Sequence, residues 1–207
     1  MKVKTLVVGN MGVNCHLLWC PDTRAGIVID PGGEADAIIS AVEELGLDVQ
    51  MIINTHGHLD HIGANAELVE HWQCPLSVGV DDAEMLPDPE QNLSANWGAP
   101  VISPKPERLL ADGDKVRFGT CELTVISTPG HTRGGICLHG HQVLVAGDTL
   151  FQGSIGRSDL PGGDHQQLLA SIKERLLTLP DDTRVLTGHG PETTIGRERA
   201  DNPWLQG

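Results

Sequence analysis

The stretch Asn54-Thr55-His56-Gly57-His58-Leu59-Asp60-His61 decides how this chain folds and what it can bind. It follows the apolar run Val49 to Ile53, which predicts a buried β-strand. If that strand continues, His56 and His58 leave the same face of an extended backbone and can hold one metal ion. Three imidazoles and a carboxylate within six residues suit zinc, iron or manganese. The simpler interpretation is a polar loop of solvated histidines.

Asp60 and His61 are neighbours, so in an extended chain they would point apart. A turn into the helix predicted for about residues 62–72 would swing them together toward a second ion. Gly57 is expected to permit the bend. Whether two ions bind depends on donors elsewhere in the chain, because a closed structural site needs about four ligands and an open two-metal site needs more.

Composition narrows the class of protein. The chain has 207 residues, 39% of them hydrophobic, which suits one compact domain with a substantial core. Twenty-eight acidic against 14 basic residues give a net charge of −14, so a nucleic-acid partner is disfavoured. The apolar runs are too short to span a bilayer, and the N-terminus lacks a signal-peptide core. We therefore expect a cytoplasmic protein with no membrane partner.

Five cysteines form no C-x-x-C pair, and their odd number argues against a full disulfide framework. They are expected to be reduced. Cys15 precedes His16 and is a candidate catalytic cysteine, but free cysteines are usually small buried hydrophobic residues.

Short apolar segments separated by turn residues predict a sheet-rich chain in which strands and helices alternate twice. Strands are predicted at 2–9, 13–19, 25–29, 49–54, 76–78, 115–118, 122–127, 135–138, 143–146 and 184–187, and helices at 34–45, 62–72, 164–177 and 194–202. Residues 80–108 contain five prolines and predict an irregular loop that covers the site. Two sheets with helices on their outer faces fit this order.

Three later segments end in a metal-ligand residue. His131, Asp148 and His189 each follow an apolar strand and a small residue. Alone, each has a simpler interpretation: a turn residue, a loop cap and a partly buried histidine. Together with the first stretch they make seven donors aimed at one crevice. The remaining histidines lack this placement and are expected at the surface or behind the site: His16, His71, His139, His141 and His165.

With these residues the chain resembles the metallo-β-lactamase superfamily, whose signature T-H-x-H-x-D-H is present as residues 55–61. The resemblance covers nearly the whole length and implies an α/β fold, an αββα sandwich of two mixed β-sheets, in a single domain over residues 1–207. It implies that His56, His58 and His131 hold one ion, that Asp60, His61 and His189 hold the other, and that Asp148 bridges both. Zinc is the expected metal, with iron or manganese as alternatives.

The implied chemistry is hydrolysis by hydroxide formed from a water shared between the two ions, with Asp60 holding or relaying its proton. The segment 147–159 resembles glyoxalase II enzymes, and residues 187–198 resemble their small bacterial subgroup. This favours a thioester substrate such as S-D-lactoylglutathione, with Arg157 binding a carboxylate of the thiol carrier. Arg157 could equally be an ordinary surface arginine.

The chain departs from the larger glyoxalase II enzymes in two respects. It is expected to lack their C-terminal helical domain, and without a tyrosine it cannot make their tyrosine contacts to glutathione. Two other functions stay open. Gly156-Arg157-Ser158-Asp159 also resembles the glutathione persulfide dioxygenases, which hold one iron, and a non-enzymatic module would use its metals only to stabilise the fold. The acidic balance disfavours the nucleases of the superfamily.

Overall fold

The computed structural model describes residues 1–206 and contains two six-stranded sheets. The fourteen strands are β1 Lys2–Val8, β2 Val13–Trp19, β3 Ala25–Ile29, β4 Asp48–Asn54, β5 Leu76–Gly79, β6 Arg108–Leu110, β7 Lys115–Phe118, β8 Cys121–Ser127, β9 Ile136–Gly140, β10 Val143–Gly147, β11 Leu150–Phe151, β12 Ser154–Ile155, β13 Arg184–Thr187 and β14 Thr193–Thr194. The five α-helices are α1 Ala35–Leu45, α2 Leu59–Ile62, α3 Asn65–Trp72, α4 His165–Ser171 and α5 Ile195–Asp201.

Both sheets are mixed. The first has the order β1-β2-β3-β4-β5-β6, antiparallel from β1 to β3 and parallel from β3 to β6. The second has the order β14-β13-β10-β9-β8-β7, in which only β10 and β13 are parallel. The short links at 119–120 and 141–142 join antiparallel neighbours, as the sequence predicts.

Three apolar layers hold the sandwich together. The central layer packs side chains such as Ile29 and Ile53 of the first sheet against Val125 and Leu186 of the second. The outer layers place α1 and α3 on the first sheet, and α4 and α5 on the second. This is the predicted αββα sandwich. None of the helices in residues 1–206 combines the length and apolarity needed to cross a membrane.

Several element boundaries differ from the prediction. The helix predicted at 62–72 begins at Asn65, as α3, and the separate short helix α2 precedes it. Between the two, the backbone at Gly63 lies against Gly32, where an added Cβ would be 2.3 Å from a carbonyl oxygen. The helix predicted at 164–177 is α4 followed by a π-helical turn, Ile172–Leu176. The region 80–108 is irregular apart from 3₁₀ turns at Val80–Asp82 and Ser94–Asn96 and the start of β6.

Candidate metal centre

Four strands of the sandwich end at one edge and deliver all seven predicted donors there. β4 leads into residues 56–61, while β8, β10 and β13 lead into His131, Asp148 and His189. Their ligand atoms form overlapping groups in which every atom lies within 4.8 Å of the others. The groups are His56, His58 and His131; His56, His61 and Asp148; and Asp60, His61 and His189.

In the first cluster, three ring nitrogens face one another. His131 Nε2 lies 3.0 Å from His58 Nδ1 and 3.2 Å from His56 Nε2. The other nitrogen of His131 donates to the Arg157 carbonyl oxygen at 2.6 Å, so Nε2 carries the lone pair. The ring of His56 is oriented by Thr55, whose Oγ1 lies 3.2 Å from Nδ1 and itself donates to Asp30.

That hydrogen-bond chain assigns the proton of His56 to Nδ1 and leaves Nε2 bare. Two bare nitrogens at 3.2 Å repel each other unless a cation lies between them. Burial, followed by repulsion from neighbouring imidazoles, lowers the pKa of His56 well below its usual value and that of His58 to about 3. Both rings are therefore neutral ligands at neutral pH, and this cluster fits a divalent ion.

The second cluster combines two imidazoles with a carboxylate. Asp60 Oδ2 lies 3.1 Å from His189 Nε2 and 3.7 Å from His61 Nε2. Burial opposes ionisation of Asp60, but the adjacent His61 and His189 hold its pKa below the usual range, so the carboxylate is charged. His61 Nε2 is buried and has no hydrogen-bond partner within residues 1–206, which also fits a bound ion.

Asp148 lies between the two clusters. Its Oδ1 is 3.4 Å from His61 Nε2, and its Oδ2 is 3.7 Å from His131 Nε2. Oδ1 is a buried atom without a hydrogen-bond partner among the described residues. Oδ2 is also 3.7 Å from His189 Nε2, so the Asp148 carboxylate lies near ring nitrogens of both clusters.

Asp30 is a supporting residue that the sequence analysis missed. It is fully buried, accepts hydrogen bonds from Thr55 N and Thr55 Oγ1 at 2.7 Å each, and places Oδ2 3.0 Å from His61 Nδ1. That contact with His61 is an ion pair rather than an aligned hydrogen bond. Asp30 follows β3 directly, so the strand-end rule that identifies Asp148 could also have found it.

Asp82 is the second supporting residue that was missed, and it accepts hydrogen bonds from both loops that carry the first cluster. Its buried carboxylate accepts from Gly57 N at 3.0 Å, from Thr132 Oγ1 at 2.7 Å and from Gly134 N at 2.7 Å. The first donor lies between His56 and His58, and the second is next to His131. Nothing in the sequence around Asp82 distinguishes it from a surface acid.

One local expectation needs correction. β4 ends at Asn54, so His56 and His58 converge from a bent loop and not from a continued strand. Gly57 lies in this bent loop with a backbone outside the left-handed region. A side chain has no space there, since an added Cβ would lie 2.6 Å from Met85 Cβ.

The other candidates lie outside the cluster. All five cysteines are free and buried, and burial raises the pKa of Cys15, which makes it a poor nucleophile. His16 is buried in β2 between Thr5 and the carbonyl of Thr187. The remaining histidines, His71, His139, His141 and His165, are half-buried or exposed.

A cavity of about 140 Å³ opens beside the two clusters. Its apolar wall includes Met11 and, from the 80–108 region, Leu93 and Trp97. The loop therefore lines the site as expected. Arg157 is at the rim, where its exposed guanidinium makes two hydrogen bonds to Asp159 at 2.8 and 2.9 Å.

The chain was compared with known proteins. A family model described as the metallo-beta-lactamase superfamily matches residues 8–189. The hydroxyacylglutathione hydrolase GloC of Haemophilus influenzae is 37% identical over 209 residues, covering 99% of this chain and 98% of that protein.

Solved structures agree with the family match. The crystal structure of the BLEG-1 B3 metallo-beta-lactamase has a TM-score of 0.95 at 39% identity and covers 100% of both chains. TTHA1623 in a di-iron-bound form has a TM-score of 0.88 at 37% identity, covering 98% of this chain and 100% of that one. ETHE1 from Myxococcus xanthus has a TM-score of 0.82 at 30% identity, covering 98% and 84%. The chain belongs to the metallo-beta-lactamase superfamily.

Proposed function

We propose that this protein is a binuclear metal-dependent hydrolase of a thioester, with S-D-lactoylglutathione or a related hydroxyacyl thioester as substrate. The observation that carries the proposal is the convergence of seven donors into two clusters that share Asp148. A structural ion needs about four ligands, so this set exceeds the needs of fold stabilisation. The similarity to a hydroxyacylglutathione hydrolase favours the thioester.

In this proposal His56, His58 and His131 would hold one divalent ion, Asp60, His61 and His189 would hold the other, and Asp148 would be shared by the two sites. Such a pair, when bound, lowers the pKa of water and polarises a carbonyl group. Imidazole and carboxylate accept zinc, iron and manganese. Zinc is the expected metal, and the similar di-iron protein makes iron the main alternative.

The chain's own groups then prepare the reaction. Asp60 is ionised, is held by His189 and lines the 140 Å³ cavity, so it would accept a hydrogen bond from the attacking water and relay its proton. Asp30 and Asp82 keep the ligand loops in place. Arg157, at the rim, would contact the carboxylate of the thiol carrier, provided that the carrier competes with Asp159 for the guanidinium.

Two other activities have supporting observations. The similarity to ETHE1 and the Gly156-Arg157-Ser158-Asp159 segment favour a glutathione persulfide dioxygenase with one iron. The similarity to a B3 metallo-beta-lactamase favours hydrolysis of a β-lactam at the same centre. The intact Asp60, His61 and His189 cluster favours a hydrolase over a one-iron enzyme.

The test is a substrate panel on the purified metal-loaded protein. It contains S-D-lactoylglutathione, thioesters of other thiols, a β-lactam, and glutathione persulfide with oxygen uptake recorded. We expect thioester hydrolysis without oxygen consumption, lost in His58→Ala while circular dichroism reports a folded chain. Oxygen uptake on the persulfide with no thioesterase activity would overturn the proposal, as would hydrolysis of the β-lactam alone.

A further inference from the structure

A second cavity, of about 210 Å³, lies next to the metal centre and is lined by one arginine and two aspartates, Arg133, Asp81 and Asp82. Its wall includes Asp81, Met85, Gln91, Arg133 and Gly162. The Arg133 side chain passes over Gly162, where an added Cβ would meet Arg133 Cγ at 3.8 Å. The buried Asp82 carboxylate already accepts from Gly57 N, Thr132 Oγ1 and Gly134 N, so Asp81 is the lining carboxylate that can receive a ligand.

Residues adjacent in the chain line this cavity and the 140 Å³ cavity beside the metal clusters, which is called the catalytic cavity below. Thr132 lines it, and the adjacent His131 lines the catalytic cavity. Likewise, Pro161 lines the second cavity and the adjacent Leu160 lines the catalytic cavity. Met85 packs against the position of Gly57, beside His58. The two cavities therefore lie side by side along the same loops.

The Arg133 guanidinium is free to bind a ligand. Within residues 1–206, Arg133 and Arg197 are the arginines whose side chains make no hydrogen bond or ion pair, whereas Arg157 is engaged by Asp159. Asp81 is exposed and likewise without an ion pair among the described residues. The two charges share a cavity without pairing with each other. An unneutralised guanidinium beside the active site of a chain with net charge −14 offers a local attraction for anionic groups.

We propose that this cavity is the binding site for a zwitterionic thiol carrier, with Arg133 holding a free carboxylate and Asp81 an ammonium group. The inference rests on the proposed thioesterase function and deepens it by assigning the residues that would bind the carrier. A γ-glutamyl peptide such as glutathione carries both charges. Arg157 at the catalytic rim would then contact the nearer part of the substrate, and Arg133 the distant end.

The experiment compares two thioesters with the same D-lactoyl group, one on glutathione and one on neutral N-acetylcysteamine. The measured quantity is the ratio of their kcat/KM values. Arg133→Gln should lower this ratio about tenfold, chiefly through KM, because a charge-assisted bond to carboxylate is lost. Asp81→Asn should lower it about threefold. Arg197→Gln removes an equally unpaired charge on α5 and should leave the ratio unchanged.

A binding measurement gives a readout independent of turnover. The affinity of metal-loaded protein for S-methylglutathione, measured by calorimetry, should fall about tenfold in Arg133→Gln and stay the same in Arg197→Gln. An unchanged ratio and affinity in Arg133→Gln would overturn the inference while leaving the thioesterase standing. If the wild-type protein hydrolyses neither thioester, the proposed function fails instead, and the calorimetry still decides whether the cavity binds the carrier.

Discussion

Replacing Asp82 with asparagine tests whether this carboxylate positions the first metal cluster. Asp82 Oδ2 accepts from Gly57 N and Thr132 Oγ1, and Oδ1 accepts from Gly134 N. An asparagine has only one oxygen. If it keeps the two bonds of Oδ2, its amide nitrogen faces the donor Gly134 N, which is then buried without an acceptor.

A buried donor left unpaired costs about 1–3 kcal/mol. We therefore expect Asp82→Asn to lower the free energy of unfolding of the metal-free protein by about 2 kcal/mol. Because Gly57 and Thr132 lie next to three candidate ligands, part of this loss should appear in metal binding. Loss of an outer-sphere partner typically weakens metal affinity by about 10–100-fold. Within residues 1–206, no hydrogen bond joins Asp82 to Asp60, His61 or His189, so the second cluster should change less.

The assay is competition for zinc between the protein and a chromophoric chelator, combined with urea unfolding. The control is Asp112→Asn, which removes a carboxylate that accepts from Ser127 N at 2.9 Å and Arg175 Nη2 at 2.7 Å in an exposed loop. Asp112→Asn should leave zinc affinity unchanged. If Asp82→Asn bound two zinc ions with wild-type affinity, the positioning role assigned to Asp82 would be refuted, even if the variant were less stable.

Three further changes test other parts of the structure. Gly188→Ala places a Cβ 2.1 Å from Asp148 Oδ1, so elemental analysis should find fewer than two metal ions per chain. Gly46→Ala strains a left-handed backbone at the end of α1, where the Cβ meets open space, and should keep two. Burial lowers the pKa of His16 to about 4. As the pH falls below about 6.5, His16 therefore takes up a proton in the unfolded chain before it does so in the folded chain. The free energy of unfolding should drop by about 3 kcal/mol between pH 6.5 and 4 for this reason. Urea unfolding of metal-free His16→Gln should show a weaker dependence of the unfolding free energy on pH. An unchanged dependence would contradict the lowered pKa of His16. Cys15→Ala should retain thioesterase activity within about twofold, at a stability cost of about 1 kcal/mol for a small core cavity; loss of activity in a folded variant would show that the thiol takes part.

The sequence predicts the sandwich well because its strands are short, apolar and clearly separated by turn residues. β2, β3, β7 and β13 have the predicted bounds. It fails where tertiary contacts decide local structure. Between α2 and α3 the backbone at Gly63 lies against Gly32, a contact that no pattern in residues 62–72 reveals. The two-residue strands β11, β12 and β14 carry too little periodicity to be recognised.

In the metal centre, too, sequence patterns reveal some residues, and others are recognised only in the folded chain. The seven donors could be found because each follows a strand or belongs to one dense motif. The residues behind them could not be found in that way. Asp82 acts through hydrogen bonds to segments 25 and 50 residues away, and that proximity exists only in the folded chain. Asp30 could have been identified by applying the strand-end rule to β3.

Stepwise metal titration of the metal-free protein tests the central claim most directly. Hydrolysis of S-D-lactoylglutathione is followed as zinc or iron is added in known equivalents. Two clusters sharing Asp148 predict that activity rises until two equivalents are bound and then levels off. Full activity at one equivalent, or no thioester hydrolysis with two equivalents bound, would contradict the assignment of a binuclear thioesterase.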